Sequence, residues 1–274
     1  MANRFKLFSA LTGNSGEPLV LVHGSWVDHH NWDLVVPALA RSFRVLTYDR
    51  RGHGRSGRPG RPGSIRENAA DLAALIEGFG LAPAHVAGTS LGGSIVLRLA
   101  CERPDLFRSL IVNEPPLMSL LSGQWAEAAE EVGVRVARVL KQLEAGDMEG
   151  GARQFVETVA FGPGAWERIP ESIRKTAVFN APTFLNEMQD PEVFAIDLTR
   201  LRTFPRSALL TRGENGPPFF RPIVERLAAA LPRAELKIFA GAGHEPEQTH
   251  PQAYAAALAG FIESTARRGA EGIG

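Results

Sequence analysis

Six short apolar runs, separated by helical patterns, constrain the fold of this chain more than any other feature. They cover residues 19–22, 45–48, 85–87, 110–112, 208–211 and 236–239. Each has strand length, is mostly β-branched or aliphatic, and is bounded by Gly, Pro or charged residues. Between them, residues 31–41, 64–79, 91–103 and 219–231 carry helical patterns. A continuous apolar run has no polar face to turn to water, so such strands need cover on both sides. Alternation with helices then predicts an α/β architecture, a mostly parallel sheet flanked by helices. In sheets of this kind chemistry gathers at the carboxyl ends of the strands.

One stretch breaks the alternation. Residues 117–203 hold no convincing strand; helical patterns run over 124–145, 152–161, 165–179 and 184–188, punctuated by Pro163, Pro170, Pro182, Pro191 and Pro205. A single crossover needs far fewer residues, so this segment is expected to be a helical cap inserted over the strand ends. The expected division is a core of residues 1–116 and 204–274 with a cap of 117–203. The chain has no internal repeat, and its tail from Arg267 reads as frayed.

Gly88-Thr89-Ser90-Leu91-Gly92 follows one apolar run and opens a helix. A serine on so tight a strand-to-helix turn needs small residues two places before and after it, so that strand and helix can approach. The turn lifts the hydroxyl clear of the sheet and aims the first helical N–H groups at an incoming carbonyl oxygen. Ser90 is therefore the candidate nucleophile. Late in the chain, Gly241-Ala242-Gly243-His244 brings a histidine to the end of another strand, in the order expected for a general base. Of the seven histidines, His85 starts a strand and His250 precedes Pro251, so these read as structural. His29 and His30 beside Asp28 lack a full ligand set with zinc-like spacing, and no metal or other cofactor is expected. The run 19–22 ends in His23-Gly24-Ser25-Trp26. The backbone N–H groups of Ser25 and Leu91 are the candidate oxyanion donors, with Gly24 or Trp26 as alternatives to Ser25.

These pieces together resemble the α/β-hydrolase superfamily over nearly the whole chain, and the Asp49-Arg50-Arg51-Gly52-His53-Gly54-Arg55-Ser56 turn is similar to that superfamily's turn after the next strand. The resemblance implies the α/β-hydrolase fold and an acid partner for His244. A serine at position 90 sets the chain apart from the haloalkane dehalogenases and epoxide hydrolases, which carry aspartate there. Most relatives place the acid after the strand that follows the cap. Here that loop is Gly213-Glu214-Asn215-Gly216, with glycine where the aspartate belongs. Asn113-Glu114-Pro115-Pro116, before the cap, is similar to the His-Glu-Leu-Pro segment of zearalenone lactonases, whose acid is a glutamate. Thr249-His250-Pro251 also matches the His-Pro pair that ends their histidine loop. Glu114 is accordingly the favoured acid and Glu214 the alternative.

The resemblance implies the layout of the triad and says little about the substrate. The triad itself predicts acyl transfer through an acyl-enzyme, so a serine hydrolase of a carboxylic ester or lactone is the expected function. C–C bond hydrolysis, other cofactor-free reactions and a ligand-sensing receptor are the rival readings. Trp26, Trp125, Phe155 and Trp166 are candidates for the substrate pocket and suggest a hydrophobic small molecule. Glu245, next to the base, is expected to face solvent, the alternative being that its charge raises the pKa of His244. Thirty basic residues balance thirty acidic ones, which gives no field to attract nucleic acid or an anionic membrane. No run reaches the roughly 20 apolar residues of a membrane span. The start of the chain shows no leader-like apolar core, and the single cysteine, Cys101, reads as a buried structural thiol. A cytoplasmic location is the resulting expectation; the sequence leaves open whether the chain forms a homo-oligomer.

Overall fold

In the computed structural model, which describes residues 6–58 and 63–271, all six apolar runs are strands. In chain order these are β2 (Glu17–Val22), β3 (Phe43–Tyr48), β4 (Ala84–Thr89), β5 (Phe107–Asn113), β6 (Ser207–Gly213) and β7 (Ala234–Phe239). A strand not anticipated from the sequence, β1 (Ser9–Thr12), precedes them. The seven lie in the order β1-β3-β2-β4-β5-β6-β7, with β1 antiparallel to β3 and every other pair parallel. β4 is buried along its whole length and β2 and β5 nearly so, which explains the apolar runs they carry.

The helices are α1 (Val36–Leu39), α2 (Ile65–Gly78), α3 (Leu91–Glu102), α4 (Ala126–Glu144), α5 (Met148–Phe155), α6 (Ala165–Arg168), α7 (Glu171–Glu187), α8 (Leu198–Leu201), α9 (Phe220–Ala230), α10 (Pro246–Thr249) and α11 (Pro251–Glu271). Helix α2 shows how locally this is encoded. Ser64 Oγ accepts the Glu67 N–H and the Glu67 carboxylate accepts the Ser64 N–H, a reciprocal cap worth about 1 kcal/mol. Ile65, Ala69, Leu72 and Ile76 then form a buried stripe on the sheet; each large side chain contributes about 1.5–3 kcal/mol. The apolar layer on the opposite face packs Trp32, Leu39, Tyr254, Leu258 and Ile262 against β2 and β3.

Three local expectations change. The segment 31–41 is a short 3-10 turn (His29–Trp32) followed by the single-turn α1, not one helix. Pro182 lies inside α7 instead of ending it, because Asn180, Ala181, Thr183 and Phe184 are all buried and tertiary packing outweighs the lost backbone bond. The helix α11 runs on to Glu271, past the expected fraying point at Arg267. Expectations for the first five and last three residues lie outside the described part.

Between β5 and β6 the elements are helices α4 to α8 with short 3-10 and π turns, and residues 188–197 form a non-helical link. This insertion has its own apolar cluster around Val139, Leu143, Val156, Trp166 and Phe184, and Trp26 of the β2 loop joins it. No helix among the described residues is long and apolar enough to cross a membrane.

Candidate active site

A cavity of about 570 Å³ lies under the insertion at the carboxyl ends of the strands. Ser90 and His244 both line it, as do Ser25, Trp26 and Leu91.

Ser90 sits between β4 and α3 with φ 52° and ψ −128°, a left-handed conformation that a serine adopts only when its surroundings impose it. The imposition comes from close packing. A Cβ at Gly92 would lie 2.3 Å from Val22 O, and one at Gly88 would lie 2.5 Å from Gly92 O. Any larger residue at either place would push strand and helix apart. The Ser90 N–H donates to Asn113 O at 2.9 Å, anchoring the turn to β5.

His244 is buried. Its Nδ1–H donates to Glu114 Oε2 at 2.6 Å, and the ring of Phe220 stacks on it at 4.6 Å with an interplanar angle of 5°. Asn113 Nδ2 donates to His244 O at 2.9 Å while Asn113 Oδ1 accepts from Thr211, which fixes the loop's backbone. Burial works against the imidazolium. The hydrogen bond and charge of Glu114, with Glu245 and Glu247 nearby, outweigh it and raise the His244 pKa above the ordinary histidine value. Ser90 Oγ and His244 Nε2 face the same cavity without a hydrogen bond between them.

Glu114 is 1% exposed and has φ 40°. Its second oxygen, Oε1, accepts the Gly213 N–H at 2.9 Å. A Cβ at Gly216 would lie 2.6 Å from that same Oε1, so the carboxylate from β5 fills the space a side chain from the loop after β6 would take. Glu214 points elsewhere: its Oε2 accepts the Gly241 N–H at 2.8 Å and braces the turn before His244.

The loop after β2 lies against the nucleophile. A Cβ at Gly24 would be 3.0 Å from Ser90 Cβ and 3.6 Å from Ser90 Oγ. The N–H of Leu91, the first residue of α3, has no acceptor within the helix.

Of the pocket candidates, Trp26 and Phe155 line the cavity and pack against each other, ring centroids 4.9 Å apart and planes tilted by 31°. Trp125 and Trp166 do not, which corrects the expectation. Trp166 is 2% exposed in the centre of the insertion's own core, and Trp125 packs on the outer cluster with Leu120 and Leu121. Aromatic composition alone carries no information on which face a ring turns inward. Glu245 departs from expectation too: it is half-buried and lines the cavity, and burial raises its pKa. Glu247 lies fully buried behind it, its pKa pushed up to about 7 by burial and by the charge of Glu245. Phe161, Phe184, Phe194, Phe219 and Phe220 also line the cavity.

The remaining candidates have structural partners. His85 bridges Ser109 and Glu17. Ligand atoms of Asp28, His29 and His30 lie within 4.8 Å of one another, but Asp28 caps the 3-10 turn, His29 pairs with Asp49 and His30 with Asp33. Cys101 is half-buried, and burial pushes its thiol up to about 11.

Comparison with known proteins bears on the family and the fold. A 2-hydroxymuconate semialdehyde hydrolase from Pseudomonas sp. (strain CF600) is 25% identical over 260 residues, covering 90% of this chain and 87% of that one. The dihydrolipoyllysine-residue acetyltransferase component of an acetoin cleaving system from Pseudomonas putida is 37% identical over 118 residues; the match spans 43% of this chain and only 32% of that relative's length. A thermophilic esterase from Thermogutta terrifontis superposes with a TM-score of 0.78 at 23% identity, covering 95% of this chain and 94% of the other. Residues 19–257 match the family described as the alpha/beta hydrolase family, and the chain belongs to that family.

Proposed function

We propose that this chain is a serine hydrolase that cleaves a carboxylic ester or lactone of a hydrophobic small molecule. The observation that carries the reading is the convergence on one apolar cavity of a strained, accessible serine and a histidine whose Nδ1–H is held by a buried carboxylate. With Nδ1 donating to Glu114, the Nε2 lone pair is left for the cavity side. In the reaction, His244 takes the Ser90 proton as Oγ attacks the carbonyl carbon. The N–H groups of Ser25 and Leu91 receive the oxyanion, and Glu114 stabilises the imidazolium. Collapse of the tetrahedral adduct breaks the bond to the leaving oxygen, which His244 protonates. His244 then deprotonates a water that attacks the acyl carbon; the acyl–Oγ bond breaks, the acid leaves, and His244 returns the proton to Ser90 Oγ. The apolar lining favours substrates with a hydrophobic acyl or alcohol part.

A second reading, hydrolysis of a C–C bond, is favoured by the near full-length likeness to the semialdehyde hydrolase. One panel separates the two: short and medium chromogenic esters, a few lactones and a vinylogous diketone, given to the wild type, Ser90→Ala, Glu114→Gln and Glu214→Gln. Ester hydrolysis predicts turnover of esters or lactones, a loss of about 10⁴-fold or more in Ser90→Ala, a large loss in Glu114→Gln and near-normal rates in Glu214→Gln. Turnover of the diketone alone transfers the reading to C–C cleavage. A folded wild type that turns over nothing refutes both.

A further inference from the structure

Where the insertion meets the β2 loop, a buried polar contact joins them. Glu187, in the last turn of α7, is 5% exposed. Its Oε2 accepts from Ser25 Oγ at 2.7 Å and its Oε1 from Arg50 Nη2 at 2.8 Å. Arg50 is buried too, and the same Nη2 donates to Gly24 O at 3.0 Å. Gly24 O has a second donor in His23 Nδ1 at 2.8 Å. The tautomer is fixed because His23 Nε2 accepts the Arg50 N–H at 2.9 Å. Burial, and after it the charge of Arg50, holds both His23 and His53 well below the ordinary histidine pKa, so both rings are neutral. Among the described residues, Glu187 is the carboxylate that ion-pairs with the Arg50 guanidinium.

The consequence lies in the geometry of one peptide unit. Gly24 C=O and Ser25 N–H belong to the same planar trans group and point in opposite directions. Clamping the carbonyl oxygen with two donors fixes the direction of the N–H. Ser25 is held a second time through its own hydroxyl, and the next residue, Trp26, is kept at φ 71°. We infer that Glu187 is a positioning residue for the oxyanion hole: through Arg50 and Ser25, a side chain of the helical insertion sets the aim of the Ser25 N–H. The inference rests on the serine hydrolase reading above. It makes the insertion part of the catalytic apparatus as well as a wall of the pocket.

The test compares wild type, Glu187→Gln, Glu187→Ala, Ser25→Ala and the Glu187→Ala/Ser25→Ala pair. It measures kcat and KM on the best ester, affinity for an alkyl trifluoromethyl ketone, which forms a tetrahedral oxyanion adduct with serine, and Tm. Losing an oxyanion donor costs about 10²-fold or more, so Glu187→Ala is expected to lower kcat by up to about 10²-fold with KM nearly unchanged. Ketone affinity should weaken by a similar factor. Ser25→Ala keeps the backbone N–H and loses the hydroxyl anchor, so it should lose less, and the pair should be no worse than Glu187→Ala alone. Should Glu187→Ala not fold, Glu187→Gln and Ser25→Ala carry the same comparison. A lower Tm with unchanged kcat and ketone affinity overturns the inference and leaves the hydrolase reading standing. A wild type that neither cleaves esters nor binds the ketone overturns both.

Discussion

The position of the acid can be tested by moving it. The Glu114 carboxylate occupies the volume a side chain at residue 216 would enter, with 2.6 Å between Oε1 and a Cβ built on Gly216. Gly216→Asp alone therefore forces an overlap, costing about 1–3 kcal/mol, and crowds two carboxylates together. Glu114→Ala clears the space but leaves His244 Nδ1 without its acceptor. Losing the group that orients the base lowers kcat by about 10⁴-fold, or about 5.5 kcal/mol of transition-state stabilisation. Independent effects would make the double variant slower than either single one. The geometry says otherwise, since the new aspartate grows into the volume that Glu114→Ala has emptied. A coupling of up to about 3 kcal/mol is ordinary for residues in contact, so Glu114→Ala/Gly216→Asp should be about 10- to 100-fold faster than Glu114→Ala. The assay is kcat/KM on the best ester for all four proteins, with near-UV circular dichroism and thermal melts confirming that each is folded. A folded double variant no faster than Glu114→Ala would refute the shared-volume argument, and a Glu114→Ala variant within tenfold of wild type would refute the role of Glu114 itself.

Two further outcomes are expected. Glu247 is fully buried and holds its proton up to about pH 7, whereas an unfolded glutamate releases it near pH 4.5. The folded state thus binds more protons across that window, and its stability falls as pH rises through it, by up to about 3 kcal/mol. Glu247→Gln keeps the oxygen that accepts from Asn31 and should stabilise the protein at pH 8 much more than at pH 4.5 in urea titrations; an equal gain at both would count against this. The raised pKa of His244 places the acid limb of kcat/KM above the ordinary histidine range, with activity rising as His244 loses its proton. Glu245→Gln removes a neighbouring negative charge and should move that limb to lower pH; an unmoved midpoint would show that Glu245 does not act on the base.

What could be read in the sequence depended on how local the encoding is. β2 to β6 were legible because burial on both faces gives each of them a short continuous apolar run. β1 was not, since Ser9–Thr12 is a half-exposed edge strand without an apolar pattern. The nucleophile turn was legible because the close approach at Gly88 and Gly92 admits no other residue. For the acid, the sequence favoured Glu114 over Glu214 only through the likeness of residues 113–116 to a known segment and the glycine at 216, and three-dimensional proximity is what brings a carboxylate to His244. The Ser25–Glu187 contact joins residues 162 apart in the chain, and a charged residue in a helix carries no mark of the partner it will find.

The location of Glu114 also bears on how such proteins can be recombined. It is followed at once by Pro115 and Pro116 and by the turn Met118–Leu120 that begins the insertion. An exchange of this segment with a relative that splices ahead of residue 114 would carry away the partner of His244, so the first junction belongs after Pro116. The far side holds a second constraint, because any transplanted segment without an acid in the place of Glu187 leaves the buried Arg50 guanidinium without its counter-charge. The insertion is thus not a free module, and a viable graft has to arrive with its own anion.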